Sequence, residues 1–122
     1  MKSAAYFGKS IIFNNPGLSA HLIISGWDPY NGYQIYDINQ TGFMSEDSDF
    51  ALGGSGSIFV KGYVDANYRR DMSLEEAKDL ITRSIEMAIN RDNSSGGNIR
   101  FINITEEKIV REIHPYTNFG VK

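Results

Sequence analysis

Residues 73–89 constrain the fold of this chain more than any other part of the sequence. They open with Ser73-Leu74-Glu75-Glu76, a capping box in which the Ser73 hydroxyl accepts from the Glu76 amide and the Glu76 carboxylate reaches back to the Ser73 amide. Apolar residues recur at steps of three and four residues: Leu74, Ala77, Leu80, Ile81, Ile85, Ala88 and Ile89. The pattern predicts a long helix with one apolar stripe and a charged opposite side.

The first part of the chain is expected to hold a helix and an antiparallel pair of strands. Residues 3–13 have a loosely helical spacing of apolar side chains. Residues 18–27 contain an apolar run without polar alternation, which suits a strand covered on both faces. Residues 28–32 begin with Asp-Pro and end with Asn-Gly, a combination typical of a tight reversal. Residues 33–38 are therefore expected to pair back antiparallel.

The remaining segments are predicted to add a short strand, a helix and a β-hairpin. Residues 50–52 are predicted to form a further short strand, and residues 58–68 a helix. Gly96-Gly97 supplies the backbone freedom needed to leave the long helix. Residues 98–105 and 108–114 are predicted to form a final β-hairpin. This order favours an α+β domain with helices segregated onto one face of an antiparallel sheet.

Composition indicates a globular protein and excludes several kinds of partner and site. The chain has 122 residues, of which 41% are hydrophobic and 22% charged, as in one ordinary globular domain. Its net charge of −3 gives no surplus of positive charge for phosphates or an anionic membrane, so we expect no nucleic acid and no membrane partner. With no cysteine, thiolate metal sites and a cysteine nucleophile are excluded. A location in the cytoplasm and nucleus is expected.

Two polar segments contain candidate binding or catalytic residues. Residues 53–57 (GGSGS) suggest either a phosphate-binding turn or a purely structural one, and they lack the spacing of the known nucleotide motifs. Asp92 follows the long helix, where a carboxylate faces the negative end of the helix dipole and needs a compensating donor or cation. It is either a turn or salt-bridge residue or an orienting carboxylate in an active site. His21 and His114 have no ligand-spaced neighbours, so no metal or cofactor is expected.

Five segments lie in a characteristic order: residues 26–29 (GWDP), 50–57 (FALGGSGS), 62–69 (GYVDANYR), 72–77 (MSLEEA) and 91–100 (RDNSSGGNIR). Together they resemble the proteasome beta subunits. The Ser-Ser-Gly-Gly segment followed by Ile-Arg, with Gly-Trp-Asp-Pro upstream, resembles most the caspase-like type of the eukaryotic 20S particle, which cleaves after acidic residues. The resemblance runs from about Ala4 to His114 and corresponds to about the second half of the family domain.

The resemblance implies an N-terminal-nucleophile hydrolase fold, a four-layer αββα sandwich, of which residues 1–122 are expected to supply the C-terminal half. In this family the mature N-terminal threonine attacks the scissile carbonyl, and its own α-amine serves as the general base. The threonines of this chain are Thr41, Thr82, Thr105 and Thr117. None of them is near an N-terminus, so the nucleophile is absent and the chain alone is expected to be inactive. A half-sandwich leaves apolar strand faces uncovered, so poor stability alone is also expected.

Three residues match family positions that support the nucleophile. Ser55 resembles the serine beside the threonine amine, and Asp92 with Ser95 resembles the carboxylate and hydroxyl that hold the N-terminal residue. Asn93 stands where caspase-like subunits usually have glycine. The implied partners are other alpha and beta subunits in heptameric rings, and the implied substrates are unfolded polypeptides degraded in an ATP- and ubiquitin-dependent way.

Two further interpretations stay open. The chain is alternatively a short, non-catalytic structural beta-type subunit of the ring, in which the supporting residues have no threonine to hold. A module that binds a small ligand through residues 53–57 is the third interpretation, and it predicts nucleotide binding by the isolated chain.

Overall fold

Three helices and five strands occur in residues 1–47 and 49–116, which are the residues that the computed structural model describes. In chain order they are α1 (Lys2–Phe13), β1 (Leu22–Asp28), β2 (Gly32–Ile38), β3 (Met44–Asp47), α2 (Ser57–Asn67), α3 (Leu74–Arg91), β4 (Ile99–Ile104) and β5 (Ile109–His114). The chain divides into unit 1, residues 1–53 with 104–109, and unit 2, residues 54–103 with 110 onward. The α+β class is confirmed.

Unit 1 is built on a three-stranded antiparallel sheet in the order β1-β2-β3. The tight reversal predicted for residues 28–32 joins β1 to β2. Asp28 Oδ1 accepts from the amides of Tyr30 and Asn31 at 2.9 and 2.8 Å, and Gly32 has a φ of 73°. These bonds fix the register in which Trp27 lies opposite Tyr33.

Helix α1 covers one face of this sheet. A Cβ added to Gly8 would lie 2.9 Å from Ile24 Cδ1 and 3.2 Å from Ile38 Cδ1, so the helix packs closely against isoleucine side chains of the sheet. Ala5, Ile12 and Ile38 are buried at 2% exposure or less. The helix predicted over residues 3–13 is therefore confirmed, and its buried face forms the core of unit 1.

The expectation that residues 18–27 form a strand covered on both faces is wrong within unit 1. Strand β1 begins at Leu22, and its side chains alternate between half-buried and exposed as far as Gly26. Ile23 points away from α1 and is 41% exposed. The apolar run reflects side chains on both faces, whereas α1 packs against only one of them.

The short strand predicted at residues 50–52 is also wrong. The third strand is Met44–Asp47, which pairs with β2 so that Met44 lies opposite Ile38 and Asp47 opposite Ile35. A tight turn sets this pairing, since the Gly42 amide donates to the Asn39 carbonyl at 2.9 Å. Residues 50–52 follow the sheet without strand structure.

Helices α2 and α3 pack against each other in unit 2. The Ser73 hydroxyl accepts from the Glu76 amide at 3.2 Å, which confirms the predicted cap of α3. The second half of the capping box differs, because the Glu76 carboxylate accepts instead from the Arg69 guanidinium. A charged partner within reach thus outcompetes the amide of Ser73 for the carboxylate.

The apolar stripe of α3 is only partly covered in unit 2. Leu80, Ala88 and Ile89 are buried, whereas Ile81 and Ile85 are 46% and 40% exposed. Unit 2 therefore presents an apolar surface as well as a core.

The predicted hairpin is confirmed as the two-stranded sheet of β4 and β5, whose turn is closed by a 2.9 Å bond from the Thr105 amide to the Lys108 carbonyl.

Candidate functional site

Ser55, Asp92 and Ser95 form one hydrogen-bonded cluster in unit 2. The Ser55 hydroxyl donates to Asp92 Oδ2 at 2.5 Å, and the Ser95 hydroxyl donates to the same oxygen at 2.7 Å. The second oxygen, Asp92 Oδ1, accepts from the Ser94 amide at 3.2 Å. The structure thus brings together the three residues that the sequence singles out, and their role toward an amine stays a prediction.

A close contact between two helices places this cluster. Gly56 is the N-cap of α2, and a Cβ added to it would lie 2.9 Å from Ala88 Cβ and 3.1 Å from Ser95 Oγ. Such distances leave no room for a side chain, so glycine at position 56 lets the start of α2 approach the last turns of α3. The approach brings Ser55 within reach of Asp92.

The charge of Asp92 has compensating partners. Asp92 is the C-cap of α3, where the negative end of the helix dipole disfavours a carboxylate. Its Oδ2 atom lies 3.6 Å from the Cβ position of Gly56, so it stands beside the N-terminus of α2, whose dipole favours a negative charge. The donors that the sequence requires for this carboxylate are therefore present as hydroxyls, an amide and a helix terminus.

The cluster is accessible and suits a cationic ligand. Ser55 is exposed, and Asp92 and Ser95 are half-buried. A hydroxyl that donates its proton keeps oxygen lone pairs, which accept from an amine or ammonium. A phosphate would meet the Asp92 carboxylate at the same place, and this repulsion disfavours the nucleotide-binding interpretation of residues 53–57.

The described threonines take part in local structure. Thr82 Oγ1 donates to the Lys78 carbonyl within α3 at 2.7 Å, and Thr41 Oγ1 donates to Asn39 Oδ1 at 2.6 Å. Thr105 belongs to the turn between β4 and β5, where its hydroxyl donates to the Lys108 carbonyl at 3.2 Å. Thr117, the remaining candidate by sequence, lies outside the described residues.

The two histidines have separate environments. His21 bonds through Nε2 to the carboxylate of Asp37, and the rings of His114 and Phe101 form a T-shaped pair with 6.5 Å between centroids. Within residues 1–47 and 49–116, no three histidine or acidic side chains gather as a metal site would require. In the same part of the chain, no helix has the length and apolarity needed to cross a bilayer.

The chain is thus of the α+β class, and in it two hydroxyls converge on one carboxylate between the ends of two helices. Comparison with known proteins identifies the family. The sequence profile described as "Proteasome subunit" matches residues 5–104. The chain belongs to the proteasome subunit family, as a beta-type subunit.

Three relatives illustrate the match. The probable proteasome subunit beta type-1 of Encephalitozoon cuniculi is 41% identical over 115 residues, covering 94% of this chain and 55% of that protein. The proteasome subunit beta type-9 of Salmo salar is 42% identical over 108 residues, covering 88% and 49%. The proteasome subunit beta type-6 of Arabidopsis thaliana is 37% identical over 116 residues, covering 94% and 49%. The chain spans about half the length of the relatives it matches.

Sequence reasoning missed the contact that positions the cluster. In the sequence, Gly56 is part of a glycine-rich turn and Ala88 is one member of an apolar stripe. A small residue at each position is the sole local signal, and small residues occur on many helix faces for other reasons. The pairing depends on how α2 packs on α3, which the spacing along the chain does not encode.

Proposed function

We propose that this chain supplies the part of a 20S proteasome beta subunit that holds the N-terminal threonine of a threonine-type endopeptidase. The observation that carries the proposal is the shared acceptor, since Ser55 and Ser95 both donate to Asp92 Oδ2. The threonine and the remainder of the beta-type domain are taken to lie outside these 122 residues. The chain alone is accordingly expected to be inactive.

The cluster has the chemistry that the proposed reaction needs. The threonine hydroxyl attacks the scissile carbonyl while its α-amine takes the proton, so an ammonium forms beside the nucleophile. In this proposal the Asp92 carboxylate favours that positive charge, and the Ser55 oxygen, whose proton goes to Asp92, accepts an N–H bond from it. Both residues orient the amine without being consumed.

The fold proposed for the complete domain is the four-layer αββα sandwich of N-terminal-nucleophile hydrolases. The face of the unit 1 sheet opposite α1 supports this, because Ile23 and Tyr33 are 41% and 65% exposed there. A second sheet would cover these side chains and remove their apolar surface from water.

The finer assignments are part of the same proposal. Residues 91–100 with residues 26–29 favour the caspase-like type, with cleavage after acidic residues. The proposed partners are alpha and beta subunits in heptameric rings, the substrates are unfolded polypeptides, and the process is ATP- and ubiquitin-dependent degradation in cytoplasm and nucleus. No nucleic acid or membrane partner is proposed.

The test is to place a C-terminal tag, in its own cells, on the protein that contains these 122 residues and to analyse the particle that it forms. We expect a particle of alpha and beta subunits that hydrolyses peptides with an acidic residue before the scissile bond. Asp92→Asn should lower kcat about 10- to 100-fold, because outer residues that orient a reacting group commonly carry that factor. Asp65→Asn is the matched control, since Asp65 is an exposed acidic residue of α2 that forms an ion pair with Lys61.

The outcomes separate the interpretations. Assembly into the particle together with lost hydrolysis in Asp92→Asn supports the proposal. Assembly with hydrolysis unchanged by Asp92→Asn favours the non-catalytic structural subunit. A chain that enters no such particle contradicts both, and heat released on adding nucleotides to it would favour the small-ligand module.

A further inference from the structure

The turn between β1 and β2 carries an asparagine that is followed directly by a glycine. Asn31 is exposed, and Gly32 is the first residue of β2 and has a φ of 73°. Apart from its two neighbours in the chain, no described residue has an atom within 4 Å of the Cβ position of Gly32. The two residues therefore lie in open space at the end of the hairpin.

The side chain of Asn31 is not held in place. Within the described part of the chain its side-chain amide makes no hydrogen bond, whereas its backbone amide donates to Asp28 Oδ1 at 2.8 Å. Asn67 differs, because its Nδ2 atom donates to the Tyr63 carbonyl at 2.8 Å. The Asn31 amide group is thus able to rotate onto the backbone of the glycine that follows it.

We propose that Asn31 is a site of spontaneous covalent modification, in which the backbone nitrogen of Gly32 attacks Cγ of the Asn31 side chain. A bond from this nitrogen to Cγ forms, and the bond from Cγ to Nδ2 breaks. Nδ2 leaves as ammonia, with the proton of the Gly32 amide. The product is a succinimide ring, which water then opens. The inference is independent of the proposed function.

The bond that water breaks decides the final product. Breaking the bond from the Gly32 nitrogen to Cγ leaves an aspartate at position 31 and the original backbone. Breaking the bond from the same nitrogen to the backbone carbonyl carbon leaves isoaspartate, in which the chain runs through the side chain. Either product carries a new carboxylate, and isoaspartate also adds one methylene group to the backbone.

A second exposed asparagine shows why the following residue matters. Asn93 precedes Ser94, whose amide donates to Asp92 Oδ1 at 3.2 Å. That nitrogen must give up a bond to an ionised acceptor before it attacks, and the Cβ of Ser94 hinders its approach. Gly32 has no Cβ, which allows close approach of its backbone. We therefore expect Asn31 to react under conditions in which Asn93 is stable.

Isoaspartate at position 31 should loosen the hairpin. Asp28 Oδ1 accepts from the amides of Tyr30 and Asn31, in the register that places Asp28 opposite Gly32. The Asn31 amide is the largest cause that lowers the pKa of Asp28, so this residue is ionised at neutral pH and repels a second carboxylate. The added methylene changes the spacing across the same turn. The end of β1 and the start of β2 should therefore open more often.

Ageing of the protein that contains these residues, purified from its own cells, tests the site. Peptide mass spectrometry follows the conversion of each asparagine to an acid at neutral and mildly alkaline pH. Conversion at Asn31 should be about tenfold or more faster than at Asn93, because the Ser94 amide is bonded to an ionised acceptor. It should quicken with pH, since the attacking nitrogen loses its proton, and should give isoaspartate together with aspartate.

The variant Asn31→Gln is the matched control. It keeps an exposed amide, but its longer side chain would have to close a larger ring, so conversion at position 31 should be lost. Equal rates at Asn31 and Asn93 would overturn the proposal, because the turn would then confer no reactivity. Conversion to aspartate alone would also overturn it, since water would then attack the side chain without a ring.

Hydrogen exchange tests the effect on the hairpin once most of Asn31 is converted. Amides of residues 26–28 and 32–34 should exchange about tenfold faster than in fresh protein, as for the loss of one net hydrogen bond. Asn31→Asp, which brings the charge without the methylene, should give a smaller increase. Unchanged exchange in these residues, or an equal increase in α3, would overturn a local effect of the modification.

Discussion

The Ser55 hydroxyl donates a 2.5 Å hydrogen bond to the carboxylate of Asp92, which lies 37 positions further along the chain. The bond joins the residue before the N-cap of α2 to the C-cap of α3. Ser95 donates to the same oxygen from the opposite side in sequence. Because one atom accepts both hydroxyls, the three residues should respond to substitution as a unit.

Removing either hydroxyl should destabilise the chain. Ser55→Ala and Ser95→Ala each delete one bond to an ionised acceptor, and we expect each to cost about 1 kcal/mol, at the low end for such bonds because Ser55 is exposed. Urea unfolding of the purified chain measures the change. The control is Ser94→Ala in the same turn, where the backbone amide and not the hydroxyl bonds to Asp92.

The double variant tests whether the hydroxyls act together. Since both bonds end on Asp92 Oδ2, the loss in Ser55→Ala/Ser95→Ala should differ from the sum of the single losses by about 0.5 kcal/mol or more. Strictly additive losses, within the error of the unfolding curves, would show that the two bonds are independent and would contradict the shared-acceptor interpretation.

Gly56→Ala tests the close approach of the helices. Its Cβ would meet Ala88 Cβ at 2.9 Å and Ser95 Oγ at 3.1 Å, so α2 must move away from α3, at a cost of about 1–3 kcal/mol. Gly62→Ala is the matched control, because outside its two neighbours and the backbone of its own helix no described atom lies within 4 Å of its Cβ position in α2. That control should stabilise the helix by about 0.5–1 kcal/mol, and equal destabilisation by both changes would contradict the packing argument.

The sequence predicted what depends on local chemistry and on recurring motifs. The Ser73 cap and the Asp28 turn follow from residue types a few positions apart, and both occur in the structure. The family resemblance selected Ser55, Asp92 and Ser95, although no spacing along the chain requires a serine and an aspartate 37 positions apart to meet.

The errors share a physical cause, which is that pairing and burial are decided outside the segment. Residues 50–52 are apolar enough for a strand, yet the polar segment Met44–Asp47 takes the third place because a tight turn from β2 brings it alongside. The predicted helix over the apolar stripe is confirmed as α3, but the spacing does not specify burial, and Ile81 and Ile85 are exposed because unit 2 covers only part of that stripe. Neither result is readable from the hydrophobicity of the segment itself.

The cap of α3 gives a fourth stability prediction. Ser73→Ala removes the acceptor for the Glu76 amide and should destabilise the chain by about 1 kcal/mol in urea unfolding. Ser73→Asp keeps an acceptor at the same place and adds a negative charge at the helix N-terminus, so it should retain most of the stability. A loss in Ser73→Asp as large as in Ser73→Ala would mean that the cap does not depend on the side-chain acceptor.

The last prediction concerns alkaline pH and Lys78. The Glu112 carboxylate accepts from Lys78 Nζ at 2.7 Å and raises the pKa of this lysine above its ordinary value, against the opposing effect of partial burial. A raised folded-state pKa gives stability that is fully present below the unfolded-state pKa, about 10.4, and is lost as the pH rises through the folded-state value. Urea midpoints of the chain should therefore fall more steeply above about pH 10.4 than those of Lys78→Met. Lys61→Met, at an exposed ion pair, should keep the steep fall of the unmodified chain, and identical pH curves for the chain and Lys78→Met would contradict the assignment.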